Sequence, residues 1–253
     1  MKTMELQAIY VMWLRHMKRF IRSKSRLITS FVQPLFFLFI MGSGFRSVSM
    51  PGLEGDYLYF LAPGIITMAI LFTSMFTGIS VLWDKQFGFL QEVLVAPISR
   101  ISIIIGRTIG GATTALIQGF IILIITILLG VPIKGITGFL LALIFMIIIA
   151  FGAVGLGLII ATKMRDFQGF PLIMNLIIMP LLFLSSAFFP VSANTTLKNI
   201  AFFNPLFYMV DGLRGTLIGT SNVLPPFIDL IAVVLFCIIM MLLGSYLFSK
   251  SEA

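Results

Sequence analysis

A helix that crosses a bilayer needs about 20 consecutive, mostly apolar residues. Five stretches of this chain qualify: roughly 27–45, 58–82, 108–130, 138–162 and 227–248. A sixth starts near Phe170, runs to about Phe189 and is interrupted by Pro180. No water is available in hydrocarbon, so a spanning segment must satisfy its own backbone groups, and these stretches read as α-helices. Composition agrees. Of the 253 residues, 59% are hydrophobic and 10% charged, whereas soluble domains carry about a quarter charged residues. The expected fold is an all-α integral membrane protein of six transmembrane helices, forming one domain over residues 1–253.

Charge sets the expected orientation. The formal net charge is +8, and in a membrane protein a basic balance points first to topology. No nucleic-acid motif accompanies it, so no nucleic-acid partner is expected. An even number of spans puts both termini on one side. Thirteen Lys and Arg fall on that side, seven of them before residue 27, and four (Arg46, Lys134, Lys198, Arg214) on the other. The positive-inside rule then places both termini in the cytoplasm of a cell-membrane protein. A basic start without a long apolar core predicts no cleavable signal peptide. The single cysteine, Cys237, excludes a disulfide within the chain.

Three regions outside the spans carry pattern. In residues 1–26, Leu6, Ile9, Tyr10, Trp13, Met17, Phe20 and Ile21 recur at helical spacing, with Arg15, Lys18, Arg19 and Arg22 interleaved. This predicts an amphipathic interfacial helix, its basic groups toward anionic headgroups. In the loop 83–107, the segment 83–100 surrounds Phe87, Phe89, Leu90, Val93 and Leu94 with Asp84, Lys85, Glu92 and Arg100. It predicts a short surface helix stopped by Pro97. Residues 183–219 predict two short helices, about 195–203 and 206–218, separated by Asn204-Pro205. Ser192, Asn194, Thr195 and Thr196 are cap candidates for the first. Neither is long enough to cross, which predicts re-entry from the outer face.

The six apolar cores read as free of Asp, Glu, Lys, Arg and His. Their polar residues are amides and hydroxyls such as Gln33, Gln118, Thr126 and Asn175. Proton-coupled carriers usually need buried ionisable groups, so that class is disfavoured. Sodium sites built of carbonyls and hydroxyls are lowered but not excluded. The chain has no G-x-x-x-x-G-K-[ST], H-E-x-x-H or G-x-S-x-G and no Cys/His cluster, which predicts neither an ATPase site nor a catalytic or metal centre of its own. Asp211 and Arg214, three apart, can pair on one helix face. Gly106-Gly110, Gly215-Gly219 and Ala153-Gly157 have small-xxx-small spacing, a weak signal of close helix contact.

Two blocks resemble a known family. WDKQFGFLQEVLVAPISR with Gly106, Arg107, Gly110 and Gly111, then FLSSAFFP (183–190) with NPLFYMVDGLRG (204–215), are similar to permease subunits of ABC-2 type ABC exporters, the group that includes daunorubicin-resistance-like permeases. The resemblance covers essentially the whole chain. Gln86, Ser186 and Phe207 depart from it, standing where an acid, Gly and Thr are frequent. It implies that 83–100 is a coupling helix seated in a cleft of a cytoplasmic ATPase. Glu92 would make the polar contact, and Phe87, Phe89, Leu90 and Leu94 the apolar one, with Pro97 setting the exit angle. It implies that 183–215 forms outer re-entrant helices, with Pro190, Asn204, Pro205, Tyr208, Asp211 and Arg214 at an outer gate. Phe183, Phe188, Phe189, Phe202, Phe203 and Tyr208 would offer an aromatic exit. The implied partners are two copies of an ABC ATPase, a second copy of this chain and membrane lipids. ATP and Mg would sit on the ATPase, with no cofactor in this chain. The implied activity is outward transport of a hydrophobic or amphiphilic cargo: a drug, a lipid or a lipid-linked glycan. From other classes, a membrane module that uses ATPase strokes for assembly or sensing, or an ion-coupled carrier, would show the same spans.

Overall fold

A computed structural model of the chain describes residues 2–45, 53, 55–88, 98–164, 166–219 and 223–251. Every regular element among them is helical: α1 (Lys2–Arg22), α2 (Lys24–Gly44), α3 (Tyr57–Gln86), α4 (Arg100–Leu128), α5 (Gly135–Lys163), α6 (Gly169–Phe183), a 3₁₀ turn (Val191–Ala193), α7 (Thr195–Ala201), α8 (Pro205–Leu217) and α9 (Pro226–Ser251). Five of them, α2, α3, α4, α5 and α9, are long and apolar enough to cross a membrane.

Helix starts follow local chemistry. Asp56, Ser99, Asn194 and Asn204 cap α3, α4, α7 and α8, each side chain accepting from a first-turn N–H. Pro205 opens α8 at a position where its missing N–H costs nothing. Pro180 lies inside α6, and three residues later the helix stops.

Helix α3 is the axis of the bundle. Its span is 83% buried, against 17% for α2 and for α9. α5, α4, α2 and α8 all pack on it. Its small residues permit this: a Cβ on Gly78 would sit 2.4 Å from the Gly157 carbonyl oxygen of α5. The outward faces of α2, α6 and α9 stay apolar and exposed, as at Phe36, Leu176 and Leu242.

Three expectations need correction. The sixth apolar stretch does not form one helix to Phe189. α6 has 15 residues, about 22 Å of rise, and residues 184–190 are turn. The chain from the start of α6 to the turn after it touches α3 at two separated places. Phe170 meets Gly78, and Ala187 meets Gly64, positions about 21 Å apart on α3. Second, the segment beginning at Trp83 is not a separate surface helix from its first residue, because α3 continues through Gln86. Likewise Arg100 to Arg107 belong to α4, not to a loop. Third, the last apolar stretch is not charge-free: Asp229 lies in the first turn of α9, fully buried.

Candidate functional site

The end of α3 carries a charge cluster that positions everything near the 83–107 segment. Asp84 is 4% exposed. Arg15 of α1 grips its two oxygens, at 3.0 Å and 2.6 Å. Arg19 reaches Oδ1 at 3.1 Å, and Arg107 of α4 reaches Oδ2 at 2.8 Å. Charged and bidentate contacts of this kind are among the strongest side-chain hydrogen bonds. Arg107 also stands 5.9 Å from the Phe248 ring centre, touching the end of α9.

α1 is seated on α4 by two glycines. A Cβ on Gly106 would lie 2.7 Å from the Met12 Cβ, and one on Gly110 would lie 2.8 Å from the His16 Cβ. The Trp13 indole donates to the Thr113 hydroxyl at 3.2 Å. So the Gly106-Gly110 spacing is a helix seat, and α1 does more than lie on lipid. Met12, His16 and Phe20 are buried, while Leu6, Tyr10, Val11 and Ile21 stay exposed. Arg15 and Arg19 bond to Asp84; Lys18 and Arg22 remain exposed. Gly219, by contrast, follows the end of α8 with φ +81° and seats no helix backbone.

The start of α1 clamps the start of α4. Glu5 accepts from the Ser99 backbone N–H at 3.1 Å and from the Ser99 hydroxyl at 2.8 Å, and also from the Ser102 hydroxyl. These bonds, led by Ser102, hold its carboxyl below the usual range. The clamp is therefore fully present above the ordinary carboxylate range and is lost as pH falls through the depressed value. α1 thus ties down both flanks of residues 89–97: Asp84 before them and Ser99 with Ser102 after them. Of the coupling residues, Phe87 ends α3 and is 74% exposed. Phe89, Leu90, Glu92, Leu94 and Pro97 lie outside the described residues.

The second block gathers at the other end of α3, where Phe60 lies about 36 Å of helix rise from Asp84. α8 is buried from Met209 through Leu217, against α9, α5 and α3. The Arg214 guanidinium is wholly buried. It donates to the Phe60 carbonyl at 3.2 Å and to the Ser186 carbonyl at 2.6 Å. Its carbon stands 3.8 Å from the Phe60 ring centre. Asp211 accepts from the Val223 and Leu224 N–H groups at 2.9 Å, and meets Arg214 only at 3.9 Å. Their main partners are therefore backbone groups rather than each other. Asn204 donates to the Leu181 carbonyl at 2.6 Å, and the Tyr208 hydroxyl to Phe202 at 2.8 Å. Pro190 precedes the 3₁₀ turn. Among the aromatics, Phe188 is core, its carbonyl accepting from the Tyr57 hydroxyl, while Phe203 is exposed.

Two residues at this end were not singled out by sequence reasoning for these roles. Ser186 has φ +62°, the left-handed region that a Cβ disfavours by roughly 1–2 kcal/mol. Asp229 approaches Gly212 of α8, and neither carboxyl oxygen has a hydrogen-bond partner among the described residues. Burying a charge without a partner is costly. Asp229→Asn keeps the shape, and we expect it to leave the melting temperature in detergent unchanged or raise it. A fall of several degrees would show that the carboxyl holds α9 in place.

The sequence signals for the Asp84 cluster were present but scattered. Arg15 and Arg19 are spaced one helical turn apart, Asp84 closes an apolar run, and Arg107 follows Gly106. Only the pairing of distant elements joins them.

Known proteins similar to this chain are membrane transport proteins by name or family. The chain is 27% identical over 213 residues to a putative transport permease ycf38 of Cyanophora paradoxa, covering 83% of this chain and 73% of that one. It is 27% identical over 207 residues to nodulation protein J of Rhizobium leguminosarum bv. viciae, covering 76% and 75%. It is 24% identical over 221 residues to the inner membrane transport permease YadH of Escherichia coli K12, covering 85% of each. The ABC-2 type transporter family matches residues 7–218, from the α1 seat through the last residues of α8, and the chain belongs to that family of membrane proteins.

Proposed function

We propose that this chain is the permease subunit of an ATP-driven exporter that moves a hydrophobic or amphiphilic cargo outward across the cytoplasmic membrane. It has no ATPase site of its own; two copies of a separate ABC ATPase supply ATP and Mg. Two copies of this chain form the pathway, with both termini cytoplasmic and six crossings, α6 and the turn after it making the fifth. The two separated contacts of this stretch with α3 support that layout. α7 and α8 re-enter from the outer face, and the burial of α8 supports this over a surface-lying loop. Two relatives are named transport permeases, which supports the class.

The observation that carries the coupling mechanism is the double tether of residues 89–97. The chain enters that segment from Asp84, bonded to α1 and α4, and leaves it at Ser99, bonded to Glu5. A force applied there reaches α3, α4 and α1 together, not one helix alone. The apolar residues Phe87, Phe89, Leu90 and Leu94 seat in the ATPase, Glu92 makes the polar contact, and Pro97 directs the chain back toward α4. At the far end, Pro190, Asn204, Pro205, Tyr208, Asp211 and Arg214 frame the outer gate.

Co-reconstitution with the partner ATPase tests this reading. In inside-out vesicles, we expect ATP-dependent uptake of a labelled amphiphile, absent with a non-hydrolysable nucleotide. ATP hydrolysis stimulated by the permease without any uptake would favour an assembly or sensing module. Uptake driven by an ion gradient without the ATPase would favour a carrier.

A further inference from the structure

Beside the Asp84 cluster, a cavity of about 400 Å³ opens between α1, α2 and α3. That volume lies in the range of small-ligand sites. Its walls differ along its length. At the elbow between α1 and α2 it is lined by Arg19, Ser23 and Ser25, and along α3 by Phe76, Ile79 and Trp83; the hydroxyls of Thr29, Ser30, Thr73 and Ser80, which also line it, each bond within the protein. The polar end lies where the first apolar span starts, at Leu27. A cavity that is cationic at the membrane surface and apolar beneath it has the profile of an amphiphile with an anionic head.

The polar end has donors to give. Among the described residues Arg19 makes one side-chain hydrogen bond, to Asp84 at 3.1 Å, out of five N–H donors, and its side chain is 33% exposed. Ser23 precedes α2 but its hydroxyl makes no capping bond. No carboxylate lines the cavity among the described residues. Exposed Arg22 and Lys24 flank it and make the local potential more positive. Trp83 stands at the boundary, a common level for tryptophan.

We propose that this cavity binds the net-anionic, phosphate-bearing headgroup of an amphiphile drawn from the adjoining leaflet, with Arg19, Ser23 and Ser25 holding the phosphate and Phe76, Ile79 and Trp83 the start of the apolar chain. The ligand is either a resident phospholipid or the cargo itself. The second source rests on the permease reading above and names the cargo's headgroup chemistry. Arg19 is a binding residue here, and the Asp84 cluster survives its loss because Arg15 and Arg107 still hold both oxygens.

The chain has two tryptophans, so Trp13→Phe leaves Trp83 as the only reporter. The full-length variant is placed in phosphatidylcholine vesicles containing rising fractions of brominated phosphatidylglycerol or brominated phosphatidylcholine. Bromine quenches a tryptophan it touches. The anionic lipid is expected to quench Trp83 at a fraction at least about tenfold lower, the effect of one charge-assisted hydrogen bond. Arg19→Gln should bring the two curves together. So should Ser25→Glu, which leaves the Asp84 cluster untouched. Coincident curves in the parent, or a preference that survives both variants, would overturn the proposal. With the ATPase present, quenching relieved by ATP identifies the ligand as cargo, and quenching indifferent to ATP identifies a resident lipid; both require the site. Failure of the permease reading would appear as absent ATP-dependent uptake with the quenching preference intact.

Discussion

Asp84→Asn is expected to destabilise the protein by about 3 kcal/mol. The substitution keeps the shape and removes the one carboxylate that three guanidinium groups share. Arg15 and Arg19 are partly exposed and can turn to water, so their loss is modest. Arg107 is buried and has no such escape, which makes it the main source of the cost. The expected signs are a lower melting temperature in detergent and faster proteolysis of α1. The double variant Asp84→Asn/Arg107→Met removes both members of the buried pair and should recover part of the loss. Equal stability of Asp84→Asn and the parent would mean that the glycine seat alone holds α1.

Arg214→Met is expected to cost about 3–5 kcal/mol, the largest effect of any single change at the Phe60 end of α3. Methionine fills the space and packs on Phe60. It cannot donate to the Phe60 and Ser186 carbonyls, and unsatisfied buried acceptors are expensive. The strained turn at Ser186 then loses the group that fixes it to α3. Lysine should rescue poorly, because its point charge cannot replace a planar fork that reaches two carbonyls and stacks on a ring. Protein yield and melting temperature check both variants. A stable Arg214→Lys protein would show that charge, not fork geometry, is what the site needs.

Much of the fold was legible in the sequence because hydrocarbon leaves few choices. The apolar runs marked the long helices, and Asn194 and Asn204-Pro205 marked the short ones, since caps and proline act through neighbouring backbone groups. The early end of α6 was not read from the sequence, which noted Pro180 but ran the stretch to about Phe189, because a turn there depends on how the chain meets Gly64. The charge clusters were the least legible. Arg15 looks solvated on its own helix, and only the packing of α1 across Gly106 and Gly110 brings it to Asp84, 69 residues away. The same holds for Arg214, whose partners Phe60 and Ser186 are distant in sequence. Asp229 shows the opposite error: at the edge of a long apolar run it reads as background, yet it is fully buried.

The central claim is that an ATPase acts on this protein through the tethered segment 89–97. The most direct test is ATP-driven uptake and ATP hydrolysis measured together for Leu90→Asp and Glu92→Ala in vesicles containing the partner ATPase. The expected result is normal membrane insertion with uptake at least tenfold lower for Leu90→Asp, since burying an unpaired carboxylate in an apolar cleft costs more than about 1.4 kcal/mol. ATP hydrolysis should then no longer respond to the permease. Uptake and stimulation at parental levels in both variants would contradict the account.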